Sequence, residues 1–325
     1  MSAAIPPTGV YVPSPTFFKS ASSSPGSEPA VDVDTQTEHT IFLAKSGVRG
    51  VVLLSSTGEA VHLTQTERFD LVAGVRKSLD AAGFPNYPIM AGVLTNGIQE
   101  TLEWLANYAR AGAQWGLVLA PGYFGKAASQ DNIKAWYLEV AEKSPVPILI
   151  YNYPGVTNQL IVDPDTYAEL AQHRNIVGCK MSHGDVSLHV QVSTDPSIDH
   201  SKFRVYSGFA QQLGPIVLFG AAGVIDGLSA FYPKTVVRLQ ELSEKQPMDQ
   251  NTLDEIQRLQ YAVSRAQNYI IRTGIIGIRE GIIRIIGMGA LEGGRLPLRG
   301  RLDEGAWKEL DRQFLQQVKA IEVSL

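Results

Sequence analysis

The chain has 325 residues, 44% hydrophobic and 18% charged, the balance of a soluble globular protein with a sizeable core. A net charge of −4 gives no electrostatic case for binding nucleic acid or an anionic membrane. The single cysteine, Cys179, excludes an intrachain disulfide and a cysteine-based zinc site.

The first residues, Met1-Ser2-Ala3-Ala4-Ile5-Pro6-Pro7, carry no basic or apolar targeting pattern, so the expected location is cytoplasmic. Strands are expected near Gly9–Phe17, Gly50–Ser55, Ile89–Leu94, Gly116–Ala120, Ile148–Tyr153, Ile176–Met181, Arg204–Gly208 and Gly223–Leu228. Runs such as Val51-Val52-Leu53-Leu54 and Ile148-Leu149-Ile150 are continuously apolar, which suits parallel strands buried on both faces. Between them lie helical patterns. Gln65–Ala82 spaces Phe69, Val72, Val75 and Leu79 by 3 and 4, opens on a Thr64/Glu67 capping box and stops at Gly83. Gln99–Ala111 and Asp131–Lys143 behave similarly. Lys19–Pro29 is small, polar and low in complexity, a loop that is either a solvated insertion or a lid.

Strands alternating with helices over roughly 230 residues have the size of a (β/α)8 TIM barrel. A doubly wound sheet is the rival, but no Gly-x-Gly-x-x-Gly follows the first strand. After Pro233 the strand signals fade, and Pro233–Glu244, Thr252–Ile271, Ile275–Gly287 and Gly305–Ile321 read as helices. The expected organisation is a barrel over 1–232 carrying the active site, and a C-terminal helical extension over 233–325. The longest uncharged, mostly apolar run, Leu213–Ile225, is too short to span a bilayer.

In a barrel, chemistry gathers at the C-terminal ends of the strands. Lys180 falls there, ending the run Ile176-Val177-Gly178-Cys179-Lys180-Met181. Burial disfavours an ammonium, so such a lysine is either a snorkelling strand-end residue or an amine of lowered pKa, able to form a Schiff base with a ketone. Local sequence alone leaves both open. Other strand ends carry Ser56-Thr57-Gly58-Glu59, Pro121-Gly122-Tyr123, Tyr151-Asn152-Tyr153-Pro154 and Ser182-His183-Gly184-Asp185. Glu59 and Asn152 read as loop braces. The six histidines form no His-x-x-x-His or His-x-His pair, so no metal site is expected.

These motifs, taken in order with Gly47-Val48-Arg49-Gly50 and Gly220-Ala221-Ala222-Gly223-Val224-Ile225, resemble the dihydrodipicolinate synthase / N-acetylneuraminate lyase family. The resemblance implies a (β/α)8 barrel with a helical extension, a homotetramer built as a dimer of dimers, and a class I pyruvate aldolase acting on a small 2-oxo acid. It implies Lys180 as the Schiff-base lysine, Tyr151 as the proton-shuttling tyrosine, and Tyr123 as the tyrosine lent across a subunit interface. Ser56 and Thr57 would hold the pyruvate carboxylate, and Ser182, Gly208 and Ile225 would line the pocket. The covalent imine needs no metal or organic cofactor. His183, three residues after Lys180, and Asp226, after Ile225, stand as further candidates for substrate hydroxyls. His183 is otherwise an exposed loop residue and Asp226 a helix cap.

Departures narrow the other half of the substrate. Val156 stands where dihydrodipicolinate synthases carry a carboxylate-gripping arginine, and Phe209-Ala210-Gln211 stands where sialic acid lyases carry acidic residues. Gly9-Val10-Tyr11-Val12-Pro13 and Lys180-Met181-Ser182-His183-Gly184-Asp185 look like the fungal branch. That branch implies cleavage of 2-keto-3-deoxy-L-galactonate (L-threo-3-deoxy-hexulosonate) to pyruvate and L-glyceraldehyde, in D-galacturonate catabolism. The alternatives are a 4-hydroxy-2-oxoglutarate aldolase, a dihydrodipicolinate synthase, and, in another class, a catalytically inactive binding barrel.

Overall fold

The structure, a computed structural model, describes residues 3–20, 28–291 and 293–325. Eight strands close into one parallel barrel in chain order: β1 (Gly9–Pro13), β2 (Gly50–Leu53), β3 (Ile89–Val93), β4 (Trp115–Leu119), β5 (Ile148–Asn152), β6 (Ile176–Met181), β7 (Arg204–Ser207) and β8 (Gly223–Ile225). Each is followed by a helix: α1 (Val33–Lys45), α2 (Gln65–Ala81), α3 (Ile98–Ala111), α4 (Gln130–Lys143), α5 (Pro164–Leu170), α6 (Val186–Thr194), α7 (Leu213–Leu218) and α8 (Pro233–Glu244). This is the expected (β/α)8 barrel. Two strands stop three or four residues short of their expected ends. β1 stops at Pro13, because Pro13 and Pro15 have no N–H to continue the ladder. β8 stops at Ile225, because Asp226 turns the chain into a short 3-10 segment.

The inner and outer faces alternate. Tyr11, Val52, Met90, Leu117, Leu149 and Tyr206 fill the barrel interior, while Val10, Val51, Ala91, Val118, Ile150 and Val205 pack outward under the helices. The N-terminal stretch closes the bottom: Trp115 Nε1 donates to the Ala4 carbonyl at 2.8 Å and the Tyr206 hydroxyl to that of Pro7 at 2.8 Å. Open space is therefore left at the other end. The helix α2 has the full capping box, with Thr64 accepting from Glu67 N and Glu67 accepting from Thr64 N.

Helix α8 packs against α7 and β1 and completes the eighth βα unit. The divide at 232/233 thus separates β8 from its own helix; fading strand signals mark the end of the sheet and not of the barrel. The extension proper follows: α9 (Gln250–Gly281), a π-helical turn over 282–286, α10 (Glu304–Leu310) and α11 (Gln316–Ser324). As expected, two helical pieces meet here: α9 is broken at Gly274 (φ 59°, ψ −144°), a non-helical conformation that glycine adopts without a Cβ clash. Of the Lys19–Pro29 loop, residues 21–27 lie outside the described residues; beside it, Phe18 and Val31 form an antiparallel bridge. Among the described residues no helix is long and apolar enough to cross a membrane.

Candidate active site

One cavity of about 690 Å³ opens at the C-terminal ends of the strands. Lys180, Tyr151, Tyr123, Ser56, Thr57, Ser182, Gly208 and Ile225 all line it. How Lys180 comes to face inward is written in β6. Val177 points into the barrel and Cys179 out. The pairing with β5 slips by one residue here, Ile148 opposing Ile176 and Leu149 opposing Gly178. Strict alternation from Val177 would turn Lys180 outward; the bulge resets the phase and re-aims it. Gly178 permits the close approach, since a Cβ there would lie 2.3 Å from the Arg204 carbonyl oxygen.

Lys180 is 4% exposed, and burial brings its amine down to about 7, with the charge of Asp226 pulling the other way. A fraction of free amine near neutral pH is what a nucleophilic lysine requires. Its register partner on β5 is Tyr151, whose hydroxyl lies 3.3 Å from Ser56 Oγ. Burial pushes the Tyr151 phenol above its ordinary value, and the Ser56 hydrogen bond opposes the shift. The phenol therefore keeps its proton at neutral pH and can pass protons along the Ser56 hydroxyl. Tyr153 stacks on Tyr151, ring centres 6.1 Å apart. Cys179, buried on the outer face with its thiol pushed up, is a packing residue.

The loop carrying Ser56 and Thr57 is held in a strained form. Leu54 (φ 59°) and Glu59 (φ 51°) both sit in the left-handed region, which costs a non-glycine residue roughly 1–2 kcal/mol. Three contacts hold it. The Thr16 hydroxyl donates to the Gly58 carbonyl at 2.6 Å, Arg279 Nη1 donates to Glu59 Oε1 at 2.8 Å, and His62 Nδ1 lies 3.2 Å from Glu59 Oε2. Glu59 thus ties the loop to the C-terminal extension. Asn152 braces the next loop, donating to the Leu160 carbonyl at 2.9 Å and accepting from Val162 N at 3.2 Å. Gly208 leaves room for its neighbour, since a Cβ there would lie 2.0 Å from Ser182 Oγ.

Tyr123 stands at the mouth, 71% exposed, edge-on to an equally bare Phe124. Its backbone is fixed by Asn158 Nδ2 donating to the Tyr123 carbonyl at 2.6 Å, and by Asn96 Oδ1 accepting from Tyr123 N at 3.1 Å.

Two candidates are not brought to the cavity. His183 turns against α6: its Nδ1 accepts from Asp185 N at 3.0 Å and its ring lies 5.2 Å from that of the buried His189. Asp226 is fully buried and caps the turn after β8, accepting from Leu228 N at 2.8 Å, from Ser229 N at 3.3 Å and from the Ser229 hydroxyl. Its carboxyl is pushed up to about 6 by burial, and it acts on Lys180 through charge and not on substrate through contact.

The cavity also has a wall that sequence reasoning missed. Gln267, Ile270, Ile271, Ile275 and Ile278 of α9 form it. Their spacing of 3 and 4 was visible, but it reads equally as a packing face. Among the described residues lining the cavity Lys180 is the only lysine or arginine.

The profile of the dihydrodipicolinate synthetase family matches residues 22–311. The L-threo-3-deoxy-hexylosonate aldolase of Hypocrea jecorina is 32% identical over 324 residues, 98% of either chain. A mitochondrial protein of Emericella nidulans, bearing the name 4-hydroxy-2-oxoglutarate aldolase, is 32% identical over 86% of either chain. Among solved structures, a dihydrodipicolinate synthase family protein from Coccidioides immitis is 28% identical, with a TM-score of 0.80 over the full length of both chains.

Proposed function

The chain belongs to the dihydrodipicolinate synthetase family, and from that membership we propose that it is a class I aldolase that cleaves 2-keto-3-deoxy-L-galactonate to pyruvate and L-glyceraldehyde. The observation that carries the reading is the buried Lys180 amine, held near 7 in the cavity beside Tyr151 and Ser56.

Ser56 and Thr57 hold the carboxylate of the 2-oxo acid. The Lys180 amine attacks C2, and loss of water gives the imine. Tyr151 takes the proton of the C4 hydroxyl while passing its own through the Ser56 hydroxyl to water in the cavity, and the same relay run backwards returns a proton for C3. The C3–C4 bond breaks, its electron pair enters the imine as an enamine, and the aldehyde leaves. Protonation at C3 and hydrolysis release pyruvate and return the free amine. The imine is the electron sink, so this route calls for no metal or organic cofactor. Tyr123 completes the site of a neighbouring subunit in a homotetramer, a reading supported by its exposure at the mouth beside Phe124.

The cavity also bears on the aldehyde half. A substrate with a second carboxylate, such as 4-hydroxy-2-oxoglutarate, needs a second cation, and a buried carboxylate without one is costly. Lys180 is already committed to the imine, and Val156 stands at the mouth where a gripping arginine would be. This favours a neutral, hydroxylated aldehyde.

Borohydride trapping with pyruvate tests the chemistry: the peptide containing Lys180 gains the mass of reduced pyruvate, and no gain removes the aldolase reading. A panel of 2-keto-3-deoxy-L-galactonate, its C4 epimer and 4-hydroxy-2-oxoglutarate tests the substrate. Cleavage of the last alone overturns the choice made here.

A further inference from the structure

The amide groups around the cavity are unequal. Asn96 and Asn158 are spent on the Tyr123 backbone, and Thr95 Oγ1 lies 2.6 Å from Thr101 Oγ1. On α9, Gln260 is spent as well: its Oε1 accepts from Gly214 N at 2.8 Å and its Nε2 donates to the Gln211 carbonyl at 3.0 Å. Gln267 lies seven residues on, two turns along the same face of α9. It is 2% exposed and lines the cavity, yet its buried Oε1 has no hydrogen-bond partner among the described residues.

The backbone that carries Gln267 is fixed. Ile278 and Ile270, from the same helix, close on the loop after β8, where a Cβ at Gly227 would lie 2.5 Å from Ile278 Cδ1. A buried amide oxygen left without a donor is costly, and the cavity that Gln267 lines is the one place a donor can come from. Among the described residues the loop after β7 offers the cavity only Gly208 and Phe209, so it contributes no polar side chain there.

We propose that Gln267 is a specificity-determining residue, whose amide hydrogen-bonds a hydroxyl on the aldehyde half of the substrate. The inference rests on the aldolase reading above. A neutral amide matches a neutral hydroxyl, which both donates and accepts. A site built to bond a hydroxyl discriminates strongly against an analogue that lacks it. The C-terminal extension thereby selects the aldehyde, while the barrel strands perform the bond cleavage.

The test runs the reaction in the condensation direction, with pyruvate and either L-glyceraldehyde or propanal, which lacks both hydroxyls. In Gln267→Met, the preference in kcat/KM for L-glyceraldehyde over propanal falls roughly five- to tenfold. An unchanged preference, or an equal fall for both aldehydes, overturns the inference while leaving the aldolase reading intact. If the wild-type chain traps pyruvate but condenses neither aldehyde, the acceptor reading fails and this inference with it. Pyruvate trapping also reports whether the variant is folded. Should Gln267→Met fail to trap, Gln267→Asn, which withdraws the amide by one methylene, decides by the same ratio.

Discussion

Lys180 and Tyr151 are register partners across β6 and β5, and the lysine Nζ lies 4.5 Å from the centre of the tyrosine ring. The ring face favours an ammonium, as does the charge of Asp226, yet the amine still falls to about 7. Desolvation therefore outweighs both. The same packing that excludes water from the amine puts the proton-carrying phenol beside it.

This fixes the pH dependence. Only the free amine attacks, so kcat/KM for the 2-oxo acid should rise with pH through about 7 and level off above it. The stability consequence has the opposite origin. Between about 7 and the ordinary lysine range the unfolded chain binds the proton that the folded chain has lost, so folding is favoured as pH rises. Below 7 the lysine is charged in both states, and its burial costs the fold on the order of 5 kcal/mol. Lys180→Met should therefore abolish turnover yet stabilise the chain, most at pH 6 and least near pH 10. Denaturant titrations at the two pH values check this, and a stability gain independent of pH would contradict it.

Tyr151→Phe removes the proton carrier and leaves the lysine in place. Turnover should fall by about 10²- to 10⁴-fold, the range of general acid–base catalysis, while borohydride still traps pyruvate on Lys180. Parallel turnover and trapping assays separate the two functions. Wild-type turnover in the variant would take Tyr151 out of the mechanism.

Asp226→Asn probes the charge behind the lysine. The asparagine oxygen can still accept from the Leu228 and Ser229 amides, so the turn after β8 keeps its cap. The negative charge that favours the Lys180 ammonium is gone, so the amine should drop further. The acid limb of kcat/KM then moves to lower pH. A limb that stays in place or moves upward is the contrary result.

Much of this was legible in the residues. Continuous apolar runs marked the strands, because parallel strands covered on both faces need no polar side. The Thr64/Glu67 box marked the start of α2, because capping is a local hydrogen-bond problem. Lys180, Tyr151, Ser56 and Thr57 fall at strand ends in the sequence, but their roles come from the family resemblance and not from local pattern. What stayed hidden depends on contacts distant in sequence. His183 follows Lys180 closely, but the turn at Gly184 and the hydrogen bond from Asp185 N hold it out of the cavity. Asp226 reads equally as a hydroxyl ligand and as a helix cap in the sequence, and the fold spends its oxygens on Leu228 and Ser229. Gln267 and the isoleucines of α9 carry a helical period that serves a core and a cavity wall alike. Nothing local in the bulge at Val177 announced that it re-aims the lysine.

The contact between Glu59 and Arg279 joins residues 220 positions apart and buries both charges. Burial raises the Glu59 carboxyl, and Arg279 and then His62 pull it back down. Removing one partner of such a pair leaves the other uncompensated, at a cost of about 3–5 kcal/mol. Arg279→Met should therefore lower the denaturation midpoint markedly. Because Glu59 holds the strained turn that presents Ser56 and Thr57, KM for pyruvate should rise in condensation assays with less change in kcat. Glu59→Gln in the Arg279→Met background removes the orphaned charge and should recover part of the stability but not the KM. A double-mutant cycle on the two substitutions measures the coupling. A coupling energy near zero, with KM unmoved, would mean that the extension merely rests on this loop and does not hold it.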